Sequence, residues 1–179
     1  NEVMCLGEDL KLNMYYQDTD SIHIDNHSVP ILAEEFKNKY NKDLIGKGMG
    51  QFHTDFDMDN ACGEIIAKNS IFLGKKCYID ELESKDKDGN IINDYHIRMK
   101  GIPNDCILHK AKELNITPFD IFNFLYDNNL GIDFDLVAVK PKFEMRKNMT
   151  IRNRLSFDRK IKFDCSNGIL NNNRIALYT

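Results

Sequence analysis

The order of apolar and polar positions divides the chain into a series of short elements. Val3, Leu6 and Leu10 recur at helical spacing in "NEVMCLGEDLKL", with no N-cap before them. The stretch reads as the end of a helix whose beginning is missing, which predicts that the chain is a fragment. "NMYYQDTDSIHI" follows. Tyr and Ile dominate both arms and "DTDS" is turn chemistry, so a tight hairpin bent at Asp18–Asp20 is expected. "SVPILAEEFKNKYNKDLIGKG" predicts an amphipathic helix. Ser28 serves as N-cap with Pro30 just inside, Leu32, Phe36, Tyr40 and Leu44 form one face, and Gly46 or Gly48 stops it.

From 51 to 99 the pattern favours strands, in the runs "QFHTDFDM", "EIIAKNSIFLGKKCYIDEL" and "IINDYHIRM". The loop "ESKDKDGN" contains Asp88-Gly89, a hairpin signal. "KGIP" breaks the pattern, and two short helices are expected at 104–114 and 118–127, the second with Thr117 as N-cap and Pro118 at its first position. Residues 133–163 return to strand-like text. Ile151, Leu155 and Phe157 fall on one face and Arg152 and Arg154 on the other, and Phe143 and Met145 suggest an earlier strand of the same kind. The Asn-rich tail is weakly patterned. The expected fold class is α+β.

Composition changes this picture in two places. Five scattered cysteines (Cys5, Cys62, Cys77, Cys106, Cys165) include no CxxC pair. They argue for a reducing compartment inside a cell and against a disulfide framework or a structural zinc site. No apolar run approaches the roughly 18 residues of a membrane span, and no membrane partner is expected. The net charge of −4 hides an asymmetry. Residues 140–163 carry nine basic side chains against Glu144 and Asp158, so that segment is +7 and the rest of the chain −11. A basic stripe on an acidic protein can bind a polyanion that the total charge would disfavour. An apolar back with Arg152 and Arg154 in front suits duplex phosphates. Few aromatics accompany them, so base stacking is not the expected mode.

The candidate chemistry lies at Asp18 and Asp20. Carboxylates that converge at a sharp bend repel unless a cation sits between them. Mg²⁺ suits such a pair, being hard, oxygen-seeking and willing to keep waters for a phosphate-bearing substrate. The arrangement needs at least one further carboxylate from elsewhere. Three other readings remain open: a plain Asp-rich turn, the DxD of a nucleotide-sugar glycosyltransferase, and a non-catalytic DNA-binding module. His23 beside the pair reads as a hydrogen-bonded structural residue, and His53, His96 and His109 have no partners at metal-ligand spacing.

"YQDTDSIHI" resembles motif C of family B DNA polymerases, Tyr-x-Asp-Thr-Asp-Ser, and its Ile-His-Ile continuation resembles the protein-primed branch of phages, viruses and linear plasmids. "FLGKKCYIDEL" is similar to that branch's Lys-x-Tyr motif, here Lys76-Cys77-Tyr78, and "MKGIP" to the linker between palm and thumb. The resemblance implies a palm through residue 103 with an antiparallel sheet and packed helices, a small β-rich thumb over 104–163 and a tail over 164–179. It implies template-directed DNA synthesis from deoxynucleoside triphosphates with Mg²⁺, or Mn²⁺ in its place. The partners would be primer–template DNA, a terminal protein as primer and the rest of the polymerase chain upstream. The setting would be host cytoplasm, nucleus or a viral replication site.

By the same resemblance, Asp20 holds the catalytic metals with an upstream carboxylate and Asp18 supports the site. Tyr16, Thr19, Lys76, Tyr78, Lys100, Arg146, Lys147, Arg152 and Arg154 contact DNA. In the residues alone, Lys76 and Tyr78 read as an ordinary solvated pair sharing one strand face. The sequence departs from the family where motif A and the fingers motif are absent, and "AKNSIFLG" does not supply the latter. Gln17 replaces a frequent Gly. One essential carboxylate and the nucleotide-binding fingers are therefore missing, and this chain alone is expected not to polymerise.

Overall fold

The structure is a computed structural model. It describes residues 1–128, 147–149 and the short strands listed below beyond 128, those strands by backbone only except at Ile132. The described chain is α+β, and no described helix is long and apolar enough to cross a membrane. It divides into two compact units, Asn1–Phe56 and Asp57–Thr179.

The first unit runs α1 (Glu2–Asp9), β1 (Met14–Asp18), β2 (Ser21–Ile24) and α2 (Ser28–Tyr40). The amphipathic spacing does its expected work, since Leu6, Leu32, Phe36 and Leu44 form a core that Val3, Leu10, Leu12, Ile24 and Tyr40 flank. The ends of α2 differ from expectation. His27 occupies the N-cap position and the helix closes at Asn41, which takes a left-handed conformation (φ 54°) and donates its N–H to Lys37 O. Asn tolerates that geometry better than most residues, so the helix ends before either glycine is reached. Leu44 still joins the core from the following loop. "QFHTDFDM" forms no extended strand. Only Phe52 pairs, exchanging backbone bonds with Leu44 and Gly46, while the Gln51 side chain binds Gly48 N and Asp43 O. Those local bonds satisfy the loop without a sheet.

The second unit is built on an antiparallel sheet of β3 (Ile66–Gly74), β4 (Cys77–Lys85) and β5 (Ile91–Met99), in that order. The long run "EIIAKNSIFLGKKCYIDEL" is thus two strands, turned at Lys75-Lys76. The β4–β5 turn bears out the Asp88-Gly89 signal. Gly89 sits at φ +84°, and the Asp86 carboxylate accepts from the N–H groups of Asp88 and Asn90. Helices α3 (Asn104–Leu114) and α4 (Pro118–Asn128) follow where expected. Thr117 and Asp120 form a reciprocal cap at the start of α4: Asp120 N–H donates to Thr117 Oγ1 and Thr117 N–H to Asp120 Oδ2.

One face of the sheet carries Leu73, Cys77, Ile79, Ile97 and Met99. It packs with Ile107, Ala111, Ile121, Phe122 and Leu125 of the helices into a single core. This core draws on residues before and after 103. The remaining described strands are β6 (Ile132–Asp135), β7 (Lys142–Met145), β8 (Ile151–Arg154), β9 (Lys160–Phe163), β10 (Ile169–Leu170) and β11 (Arg174–Ile175). They pair antiparallel as β6–β9, β7–β8 and β10–β11. Leu155 and Phe157, expected on the apolar face, lie outside the described residues.

Phe122 is fully buried, whereas Leu114 is 46% exposed. Phe122→Ala should lower the unfolding free energy by about 3–5 kcal/mol through lost burial and a residual cavity. Leu114→Ala should cost under about 1 kcal/mol. Urea denaturation of the two variants checks the contrast, and equal losses would contradict this core.

Candidate functional site

The hairpin is anchored at its base and strained at its tip. Its register pairs Tyr16 with His23, Gln17 with Ile22 and Asp18 with Ser21, leaving Thr19-Asp20 as a two-residue turn. At the base, Asp25 accepts the Tyr15 hydroxyl at 2.6 Å on one oxygen and the Asn13 amide at 3.1 Å on the other. The Tyr15 bond, reinforced by Asn13 and nearby His27, holds the Asp25 carboxyl below its usual range, and the same bond holds the Tyr15 hydroxyl above its own. Midway, Tyr16 is buried and its ring meets His23 edge-on at 5.6 Å. His23 in turn meets Phe56 at 6.3 Å. The histidine is therefore held by ring contacts on both sides.

At the tip, Thr19 has φ +55°. A β-branched side chain there is an outlier and costs on the order of 1–3 kcal/mol. Asp18 is half-buried and Asp20 exposed. The Thr19 hydroxyl donates to Asp18 Oδ1 at 3.0 Å, and the Ser21 hydroxyl donates to the Asp18 carbonyl at 3.1 Å. Both aspartates offer the hard oxygen donors that Mg²⁺ takes, so the donor type fits that ion. Among the described residues no group of three or more His, Cys, Asp and Glu is gathered that could hold a metal.

Lys76 and Tyr78 lie in the second unit, at the β3–β4 turn. Lys76 is exposed and also left-handed (φ +56°), and its carbonyl accepts the Lys100 N–H at 2.9 Å. β4 begins only at Cys77, so the two residues do not share a strand face. Tyr78 is buried, its ring 5.9 Å from Phe72 and 5.7 Å from His96. A solvated pair is therefore not what forms. The turn is one end of a polarised sheet. Lys75, Lys76, Arg98 and Lys100 are exposed there, and neither 71–79 nor 95–103 contains an acidic residue. Glu81, Glu83, Asp86, Asp88 and Asp94 fall toward the other end.

Of the C-terminal bases, Lys147 is exposed in a turn, and Arg146 lies outside the described residues. Arg152 and Arg154 are on β8. Register sets Arg152 opposite Glu144 but Arg154 opposite Lys142, and places Asp133 and Asp135 of β6 opposite Lys162 and Lys160 of β9.

The row Ser70–Asp80–His96, one residue from each strand of the sheet, was not singled out from sequence. Asp80 is fully buried, accepting the Ser70 hydroxyl at 2.7 Å and bonded to His96 Nδ1 at 3.0 Å. The sequence signal for it was the turn: closing the β4–β5 hairpin over 86–90 places Asp80 opposite His96.

No protein-family model matches the chain, and neither a curated protein nor a solved structure matches it.

Two outcomes test the hairpin. Thr19→Asn, better suited to a left-handed turn, should raise the unfolding free energy of the first unit by about 1 kcal/mol; a loss of stability would show that the turn is not strained. The depressed Asp25 pKa means that its contribution is complete above the unfolded carboxyl value of about 4 and is lost as pH falls through the lower folded value. Amide exchange at Gln17–Ser21 should accelerate across that acid range, and Tyr15→Phe should flatten the response.

Proposed function

We propose that this chain is the C-terminal palm and thumb part of a family B DNA polymerase of the protein-primed type, with the Asp18–Asp20 hairpin as half of its metal site. The observation that carries the reading is the Thr19 backbone. Gly or Asn takes a left-handed position most readily, and a β-branched residue least so. Here a strained threonine separates two carboxylates, and strain of this kind concentrates at functional sites. The motif text around it, Tyr16 to Ile24, supplies the chemistry.

In this reading Asp20, exposed at the bend, is a metal ligand and Asp18, hydrogen-bonded by Thr19, supports it. Mg²⁺ bound there would lower the pKa of a primer hydroxyl and neutralise a triphosphate. A further carboxylate from another part of the polymerase completes the set. The basic end of the β3–β5 sheet, with Lys76 and Lys100, fits a phosphate backbone. So do the bases of β8. Like charges directly opposite one another destabilise a strand pair, and a polyanion laid across Lys142 and Arg154 would relieve that cost.

The decisive experiment is Asp20→Asn in the intact polymerase. Template-directed incorporation should fall by at least about 10³-fold, the scale of losing a charge-stabilising group at the reacting centre, while primer–template affinity stays within about twofold. Retained synthesis would remove the motif assignment. Sugar-nucleotide binding that requires Mn²⁺, with no affinity for DNA, would favour a glycosyltransferase instead.

A further inference from the structure

Asp80 has no part in the chemistry proposed above, yet it is the one fully buried carboxylate among the described residues. Burying a carboxylate in mid-sheet is costly unless donors compensate it. The compensation comes from both neighbouring strands. Ser70 of β3 donates to one oxygen, and His96 of β5 faces the other through Nδ1. An anionic Asp80 requires the proton of that contact on Nδ1, which fixes the tautomer and the plane of the His96 ring. That ring lies 5.7 Å from the Tyr78 ring, inclined at 59°, and Phe72 meets Tyr78 at 5.9 Å from the opposite strand. Tyr78 is thereby clamped between β3 and β5, two residues after the left-handed Lys76.

We infer that Asp80 and His96 are positioning residues for Tyr78: the buried carboxylate sets the imidazole, and the imidazole sets the tyrosine of the DNA-contacting turn. This rests on the polymerase reading only for the identity of the ligand. An apolar row would pack the same space without holding a ring at a defined angle, whereas the Ser–Asp–His row fixes it by hydrogen-bond direction. Ser70 shares the carboxylate with His96 rather than binding the imidazole, so the row does not activate a nucleophile.

The test uses this chain and a fluorescent primer–template duplex, without divalent metal so that the aspartate pair is not probed. His96→Asn keeps a donor near the Nδ1 position but removes the ring. It should weaken duplex binding about five- to tenfold, and under about twofold when Tyr78 is already Ala, as coupled neighbours require. In the unsubstituted chain, ¹⁵N spectra should show His96 protonated at Nδ1, a signature that packing alone would not set. Asp80→Asn should reduce that signature. A His96→Asn effect of equal size in both backgrounds overturns the positioning role, as does a His96 protonated only at Nε2. Should Tyr78→Ala leave duplex affinity unchanged, the tyrosine contact in the polymerase reading fails, and the positioning role falls with it. That result is distinct from additivity, where Tyr78 matters and His96 does not act through it.

Discussion

The Asp18–Asp20 hairpin and the β3–β4 hairpin each turn on a non-glycine residue in left-handed backbone. Thr19 sits at φ +55° between Asp18 and Asp20, and Lys76 at φ +56° just before Tyr78. In each, the flanking strands leave two residues to reverse the chain. Such geometry persists only when the strands on either side over-determine it. The first hairpin meets that requirement through the Asp25 clamp at its base and the Tyr16–His23 ring pair along it. The second meets it through the Tyr78 clamp and the Lys100–Lys76 backbone bond. Packing along the strands thus sustains left-handed backbone at both turns.

The two anchoring schemes use different physics. The first hairpin is fastened by exposed polar contacts, and Ile24 reaches the apolar core beside Leu32 and Phe36. The β3–β5 sheet has one face in a large apolar core and, on the other face of its central strand, Tyr78, Asp80, Leu82 and Ser84, all buried. A central strand buried on both faces should read as continuous apolar text. Asp80 and Ser84 break that rule. The Ser84 hydroxyl is satisfied by the Glu64 carbonyl at 3.1 Å, which ties the strand to the segment that precedes the sheet. Asp80 is satisfied sideways, across the sheet. Polar groups at these positions fix the register of neighbouring strands in a way that interchangeable methyl groups do not.

Much of the fold was legible in periodicity and turn chemistry. The hairpin at Asp18–Asp20, the helix from Ser28, the Asp88-Gly89 turn and both helices after Pro103 all follow from local rules. "EIIAKNSIFLGKKCYIDEL" was read as one run because Lys75-Lys76 is not a recognised turn pair; the left-handed lysine is imposed by the paired strands. The helix stop at Asn41 was missed because two glycines nearby looked stronger. "QFHTDFDM" has strand-like alternation but finds no strand to pair with beyond a single bridge, and propensity without a partner does not make a sheet. Of the candidate site, the carboxylates were visible as text. The Ser70–Asp80–His96 row was not, because it exists only once three strands are in register.

Register also changes how the basic C-terminal segment is understood. As text, nine bases against two acids read as a uniform stripe. Paired, the segment separates into two kinds of ladder. β6–β9 sets Asp133 and Asp135 opposite Lys162 and Lys160, an arrangement that stabilises the pairing by itself. β7–β8 sets Lys142 opposite Arg154, which does not. The charges of the first ladder belong to the fold, because acids drawn from outside the stripe balance them. The second is mixed: Arg152 falls opposite Glu144, and only Lys142 and Arg154 set like charges in register. The positions left without an opposite charge across the ladder are therefore fewer than the segment's net charge of +7 suggests. In the polymerase reading proposed above, such a register goes with a salt dependence governed by a few phosphates rather than by all nine bases.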